Sequence, residues 1–131
     1  MKLTFSWHKL ANGYSVACCA SDRNNAHGTS LLAHALDDDG GLGRDIAINW
    51  IEEGKRLANA ALAGASGPLR WEREYFGLEF DGDQGIAFDL DDPECTEQLP
   101  TRTLLLLLQH WQDFLAAGPE AGVKTIEVEA D

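Results

Sequence analysis

The chain has 131 residues, of which 44% are hydrophobic, and it carries a formal net charge of −12 at pH 7. This hydrophobic content supplies a core for one domain over residues 1–131 and excludes disorder as a description of the whole chain. The acidic balance argues against nucleic acids and anionic membranes as direct partners, because both repel a negatively charged protein.

Two strands are the first predicted elements. Leu3, Phe5 and Trp7 alternate with polar residues, and a second apolar run occupies residues 14–19. An Asn-Gly pair at residues 12–13 separates the two runs. Because both residues tolerate the positive φ of a type I′ turn, this arrangement predicts a β-hairpin.

Three helical segments follow from spacing and capping residues. Either Thr29 or Ser30 suits the N-cap of a short helix, although a strand is not excluded there. From Asp45 to about Gly64 the apolar residues repeat with helical spacing, and a glycine on the same face, Gly54, predicts close packing against a neighbour. Another helix is predicted between the Pro-Thr pair at 100–101 and the Gly-Pro pair at 118–119.

A second hairpin is predicted from residues 69–80 and 86–90, joined by residues 81–85. A change of phase near Gly77 indicates a bulge. Ile126 and Val128 predict a last strand at a sheet edge. The sequence therefore predicts an α+β fold with a mostly antiparallel sheet and two or three helices packed on it. The apolar residues of the second hairpin are expected to share its inner face: Phe76, Leu78, Phe80, Ile86, Phe88 and Leu90.

The charges are concentrated in this second hairpin. Residues 1–71 hold seven acids and seven bases, whereas residues 72–97 hold ten acids against the single base Arg73. Such a focused field attracts a cationic partner and speeds its encounter, although a solvated face that protects a sheet edge is the simpler alternative. We expect a basic partner to bind the hairpin through these residues: Glu72, Glu74, Tyr75, Glu79, Asp81, Asp83, Asp89, Asp91, Asp92 and Glu94.

No residue pattern predicts a metal, a cofactor or a catalytic centre. Residues 81–92 resemble part of a calcium loop, but Ile86 replaces the required glycine and Asp92 the bidentate glutamate. His34 lies three and four residues from Asp37 and Asp38, which suits a general base and its orienting acid, but no nucleophile motif accompanies it. We therefore expect a protein that is not an enzyme.

The cysteines and the N-terminal residues indicate the compartment. Cys18, Cys19 and Cys95 show no CxxC spacing, which is typical of reduced thiols. Residues 1–9 contain no long apolar run, so no secretory signal is expected. Together these features predict a cytoplasmic protein.

Three segments of the second half of the chain form a recognisable set: Phe-Asp-Leu-Asp-Asp at 88–92, Leu-Pro-Thr-Arg-Thr-Leu-Leu at 99–105 and Trp-Gln-Asp-Phe-Leu at 111–115. Together they resemble the C-terminal half of small bacterial immunity proteins from polymorphic-toxin and contact-dependent growth inhibition systems. The resemblance implies a cytoplasmic protein, a monomer or weak dimer before binding, that blocks one cognate toxin. Such a toxin is commonly a nuclease with a basic cleft. The hairpin acids would then occupy its Arg and Lys side chains, with Tyr75 as an anchor.

Two other interpretations remain open. A secretion chaperone is also small, acidic and cytosolic, but those chaperones begin with a helix, whereas this chain is predicted to begin with a hairpin. A small enzyme that uses His34 and a neighbouring acid is the third. Co-purification distinguishes the three, because they predict a tight basic toxin, an unfolded effector segment and turnover without a partner, respectively.

Overall fold

The computed structural model describes residues 1–131 and confirms the predicted α+β fold, with two antiparallel sheets and three helices. The strands are β1 (Lys2–Lys9), β2 (Ser15–Ser21), β3 (Leu69–Glu72), β4 (Phe76–Asp81), β5 (Gln84–Asp89), β6 (Thr96–Pro100) and β7 (Val123–Glu127). The helices are α1 (Leu31–Asp37), α2 (Arg44–Leu62) and α3 (Thr101–Ala117), and a short 3₁₀ turn follows α3.

The first sheet has the strand order β2-β1-β7, so the predicted N-terminal hairpin and the predicted edge strand are both confirmed. The turn is not type I′, because Gly13 takes a positive φ of 89° whereas Asn12 does not. Leu10 N–H donates to Tyr14 O at 2.7 Å and Gly13 N–H donates to Leu10 O at 3.0 Å. The hairpin loop therefore has three residues and places its glycine at the left-handed position.

The helices begin and end near the predicted residues. Ser30 is the N-cap of α1, and its side chain accepts a hydrogen bond from Ala33 N–H. Gly118 follows the last residue of α3. The packing role predicted for Gly54 is also confirmed, since a Cβ there would lie 3.0 Å from the indole Cε2 of Trp71.

The second sheet is a meander with the order β3-β4-β5-β6, and it corrects one prediction. The single strand expected over residues 69–80 is two strands, which pair with each other around a turn at residues 73–75. Gly77 has regular partners on both sides, Glu72 and Phe88, so the predicted bulge is wrong. The change of phase in the sequence marks the turn instead.

The register of β4 and β5 corrects a second prediction. Asp81 pairs with Gln84, so the loop has two residues, and Phe80 pairs with Gly85 rather than with Ile86. A shift of one residue moves every side chain of a strand to the other face. Ile86 and Phe88 therefore lie with Glu79 on the outer face, not on the core face.

Phe88 nevertheless remains only 2% exposed on that outer face. Its ring covers Gly77, where a Cβ would come within 2.6 Å of the Phe88 Cζ. The guanidinium of Arg70 lies over the same ring, 4.3 Å from its centroid. The outer face thus has a small apolar cluster of its own, separate from the main core.

The main core joins both sheets and all three helices in one cluster of 22 buried residues. Helix α3 packs against α2 and contacts both sheets, and the ring of Trp111 lies 5.0 Å from that of Phe5 in β1. On the remaining side of α3, Leu106 is 47% exposed. No helix combines the length and the apolar character needed to span a membrane.

Candidate binding surface

Three of the ten acids in residues 72–97 form ion pairs within the chain, two of them with the same base. Arg70 of β3 lies 3.6 Å from a carboxylate oxygen of Glu72 and 3.7 Å from one of Glu79. Glu97 pairs with Arg23 at 3.7 Å. Counting charges along the sequence assigns Arg70 to the neutral body, but the β3–β4 pairing places it on the acidic hairpin.

Six of the remaining acids are exposed, and their side chains form neither a hydrogen bond nor an ion pair within the chain. An exposed carboxylate that no internal base neutralises keeps its full charge available to a partner. These six residues are Glu74, Asp81, Asp83, Asp91, Asp92 and Glu94.

The structure divides the ten predicted binding residues between the two ends of the meander. Asp81 and Asp83 lie at the β4–β5 turn, whereas the loop after β5 lies at the opposite end of that six-residue strand, about 20 Å away. Glu72 and Glu79 lie between them on the outer face. The residues of the second end, hereafter the acidic end, are Glu74, Tyr75, Asp89, Asp91, Asp92 and Glu94.

Backbone hydrogen bonds hold the acidic end together. Leu90 N–H donates to Tyr75 O at 2.9 Å, which joins the loop after β5 to the β3–β4 turn. Asp89 accepts from Asp91 N–H at 2.8 Å, so this carboxylate caps the loop. The Tyr75 side chain is 58% exposed beside these acids. The acidic end therefore presents exposed carboxylates, on loops held by backbone hydrogen bonds, next to an exposed aromatic ring.

Arg73, the one base in this segment, is directed into the protein rather than toward the acids. Its guanidinium lies 3.8 Å from the ring centroid of Trp50 and 4.6 Å from that of Trp71. Burial lowers the pKa of this guanidinium, and the nearby charge of Asp38 opposes that shift. Arg73 thus anchors the β3–β4 turn through its contacts with two indole rings.

Asp38, the middle one of three consecutive aspartates at residues 37–39, supports the acidic end from behind. Asp38 accepts from the backbone N–H groups of Tyr75 and Phe76, at 2.7 and 3.1 Å. Asp37 accepts from Cys19 N–H at 3.0 Å, and Asp39 caps its own loop. The pKa of Asp37 is raised to about 7, mainly by burial and with a smaller contribution from the charges of Asp38 and Asp39, while the hydrogen bond from Cys19 N–H opposes the shift.

Glu97 plays a structural role on the core face of β6. Its carboxylate accepts from Leu32 N–H at 3.2 Å and so caps the first turn of α1. Burial raises its pKa, while that hydrogen bond and Arg23 lower it. This acid connects β6 with α1 and Arg23.

The histidine considered for catalysis is packed against an aromatic ring. His34 stacks on Phe76 with 4.8 Å between ring centroids, and its ring forms no hydrogen bond with Asp37 or Asp38. Cys18, Cys19 and Cys95 are free thiols, and burial is the main cause of the raised pKa of Cys19. No group of three or more His, Cys, Asp or Glu side chains is arranged to hold a metal ion.

Sequence reasoning missed the contributions of Arg70 and Asp38 to this surface. The β3–β4 turn contains Arg73, Glu74 and Tyr75, none of which is a typical turn residue, so no local signal places Arg70 opposite Glu79. Asp38 was considered only as an acid near His34, because its partners Tyr75 and Phe76 lie 37 and 38 residues away in the sequence. No family model, curated protein or solved structure matches the chain.

Proposed function

We propose that this protein is an immunity protein that binds and neutralises a cognate basic toxin, a nuclease domain being the expected class. The observation that carries the proposal is the set of six exposed carboxylates without internal partners. Concentrated like charge destabilises a folded chain by self-repulsion, and a basic partner would offset that cost. Resemblance to immunity proteins in residues 88–115 supports the same function.

The proposed mechanism is occupation of the toxin's phosphate-binding groups. Arg and Lys side chains that bind a nucleic acid backbone also form charge-assisted hydrogen bonds with carboxylates. The carboxylates of Glu74, Asp91, Asp92 and Glu94 would take those positions and exclude the substrate. Tyr75 would supply the aromatic contact that is enriched at the centre of protein interfaces.

The acidic end is the better supported of the two ends. It holds four of the six unpartnered acids and the exposed Tyr75, whereas the β4–β5 turn offers only Asp81 and Asp83. Backbone hydrogen bonds also fix its loops before a partner arrives. We place this activity in the cytoplasm, where the three free thiols would stay reduced.

The test uses the protein encoded immediately upstream as the candidate toxin. Expression of that protein alone should stop growth of a bacterial host, and co-expression of this chain should restore growth. In vitro, toxin activity should fall linearly with added protein and vanish near equivalence, as tight binding without turnover requires. The association rate should fall steeply with added salt, since the screening length is about 10 Å at 0.1 M.

A matched pair of charge-reversed variants locates the surface. Replacing Asp91, Asp92 and Glu94 together with lysine should slow association about tenfold or more at low salt. Replacing Asp113, Glu120 and Glu127 together with lysine changes the net charge equally at exposed sites outside the acidic end, and it should have a much smaller effect.

Three outcomes would overturn the proposal. Equal slowing in both variants would show that net charge, not this surface, directs binding. Capture of an unfolded export segment without inhibition would favour the secretion chaperone. Neutralisation at far below equimolar amounts, lost in His34→Ala with affinity intact, would favour an enzyme.

A further inference from the structure

A cavity of about 420 Å³ lies beside the free edge of β2, between that strand and residues 39–43. Its floor is apolar and includes Leu36, Trp111 and Leu115. Tyr14 and Leu42 stand at its rim and are 73% and 60% exposed. Mostly apolar cavities of this size with a few polar groups are typical of binding sites.

The edge of β2 offers unpaired backbone groups to this cavity. Asp22 N–H bonds to Lys2 O and Leu10 N–H to Tyr14 O, so the even-numbered residues of β2 face β1. The odd-numbered residues therefore point their N–H and C=O groups away from the sheet. Of these, Cys19 N–H is bonded to Asp37, whereas the backbone groups of Ser15 and Ala17 have no partner and line the cavity.

The walls of the cavity carry mainly negative charge. Asp39 lines it, its one base, Arg44, lies 3.7 Å from Asp45, and Asp37 adds only part of a charge at neutral pH because its pKa is raised to about 7. The loop that bears these aspartates also reaches the acidic end, because a Cβ at Gly40 would lie 3.7 Å from a Glu74 carboxylate oxygen. An occupant of the cavity would therefore lie beside an acidic loop.

We propose that the cavity binds an extended, basic peptide segment of a partner protein, which pairs with β2 as an added strand. Ser15 and Ala17 would supply the main-chain hydrogen bonds, and an apolar side chain of the segment would rest on the floor near Trp111. Alternate side chains of a strand point in opposite directions, so Lys or Arg residues flanking the apolar one can reach Asp39. This inference extends beyond toxin neutralisation, since any protein that carries such a segment could be the binding partner.

The test uses peptides rather than an identified partner. Random dodecapeptides displayed on phage are selected against the immobilised protein, and the enriched sequences are synthesised. We expect enriched peptides to alternate apolar residues with polar ones and to contain Lys or Arg. In a ¹⁵N-labelled sample, the backbone amides of Ser15 and Ala17 should exchange about tenfold more slowly at a peptide concentration ten times Kd.

Two matched pairs of variants test the geometry. Ala17→Pro removes one outward N–H from the β2 edge, and Thr125→Pro does the same on the β7 edge of this sheet. The first should weaken peptide binding about tenfold and the second should not, because only the first loses a main-chain bond to the peptide. Leu42→Ser should likewise weaken binding, whereas Leu106→Ser, at another exposed leucine outside the cavity, should not.

The proposal fails if no peptide is enriched, or if enriched peptides leave the amides of Ser15 and Ala17 unprotected. It also fails if these amides become protected with rising protein concentration alone, since the occupant would then be a second copy of the chain. Should Ala17→Pro prevent folding, the Leu42→Ser and Leu106→Ser pair decides the question. Because no toxin enters these measurements, their outcome is independent of the proposed immunity function.

Discussion

The carboxylate of Asp38 accepts a hydrogen bond from the backbone N–H of Tyr75 at 2.7 Å, across 37 residues of sequence. The same oxygen accepts from Phe76 N–H at 3.1 Å. This contact fixes a turn that has no glycine, proline or asparagine at residues 73–75. The position of the exposed Tyr75 ring therefore depends on a side chain in another part of the fold.

Asp38→Ala should reduce the free energy of unfolding by about 1–3 kcal/mol, because two backbone N–H groups lose a charged acceptor. Urea denaturation followed by tryptophan fluorescence measures this change. Asp92→Ala, which removes an exposed carboxylate without internal partners, should stay within about 0.5 kcal/mol of the wild type. Equal effects in the two variants would show that the Asp38 contact does not stabilise the turn.

Asp37 should give the stability a characteristic pH dependence. Burial raises its pKa in the folded protein from the ordinary 3.8 to about 7, and Asp38 and Asp39 act in the same direction. The folded state therefore binds the proton more tightly than the unfolded state. This contribution to stability is complete below pH 4 and is lost as the pH rises to about 7.

Asp37→Asn should remove that dependence while keeping an oxygen to accept from Cys19 N–H. At pH 8 the variant should be more stable than the wild type by on the order of 1–4 kcal/mol, and at pH 4 the two should agree. Thermal or urea unfolding at a series of pH values measures the difference. A difference that stays constant across this range would rule out Asp37 as its source.

Gly77→Ala should destabilise the meander by about 1–3 kcal/mol, since the new methyl group would overlap the Phe88 ring and approach Trp71 O at 2.9 Å. The effect should be smaller in a Phe88→Ala background, where the ring is absent. A double-mutant cycle by chemical denaturation should give a coupling of about 1 kcal/mol or more. Strict additivity would contradict the packing of Phe88 on Gly77.

Trp111→Ala should destabilise the fold by about 3–5 kcal/mol, because the ring is 2% exposed and packs on Phe5 and Phe114. Leu106→Ala on the exposed side of α3 should change the free energy of unfolding by less than about 1 kcal/mol. Guanidinium denaturation of both variants makes the comparison. A stable Trp111→Ala variant that has lost partner binding would assign the ring to the interface instead.

Local signals were sufficient to predict most of the fold. The Asn-Gly pair, the cap at Ser30, the helical spacing after Asp45 and the Gly-Pro pair after α3 each act within a few residues. The helices, the first hairpin and the last edge strand were therefore predictable. The role of Gly54 was also predictable, because a glycine on the apolar face of a helix usually allows close packing against a neighbouring element.

The acidic surface was less predictable because long-range contacts determine its shape. The turn at residues 73–75 depends on Asp38 and on the stacking of Arg73 with Trp50. Without knowledge of that turn, the sequence offers no reason to pair Arg70 with Glu79. The acids are then expected on a single face of the hairpin, whereas the structure divides them between the two ends of the meander. The faces of Ile86 and Phe88 were mispredicted for a related reason. The β4–β5 loop has two residues, which shifts the strand pairing by one residue and moves both side chains to the outer face.

The pairing of β1 with β7 has a consequence for the order in which the protein folds. Met1 N–H donates to Val128 O across 127 residues, whereas β3, β4, β5 and β6 are consecutive in the sequence and pair only with their neighbours. Contacts between sequence neighbours form quickly, and distant ones bear the entropy of a long loop. During synthesis the meander can assemble once residue 100 has emerged, while the N-terminal hairpin keeps one edge open until β7 arrives. Ribosome-bound chains in which residue 100 has left the exit tunnel but residue 123 has not should therefore protect the meander from proteolysis and leave β1 accessible.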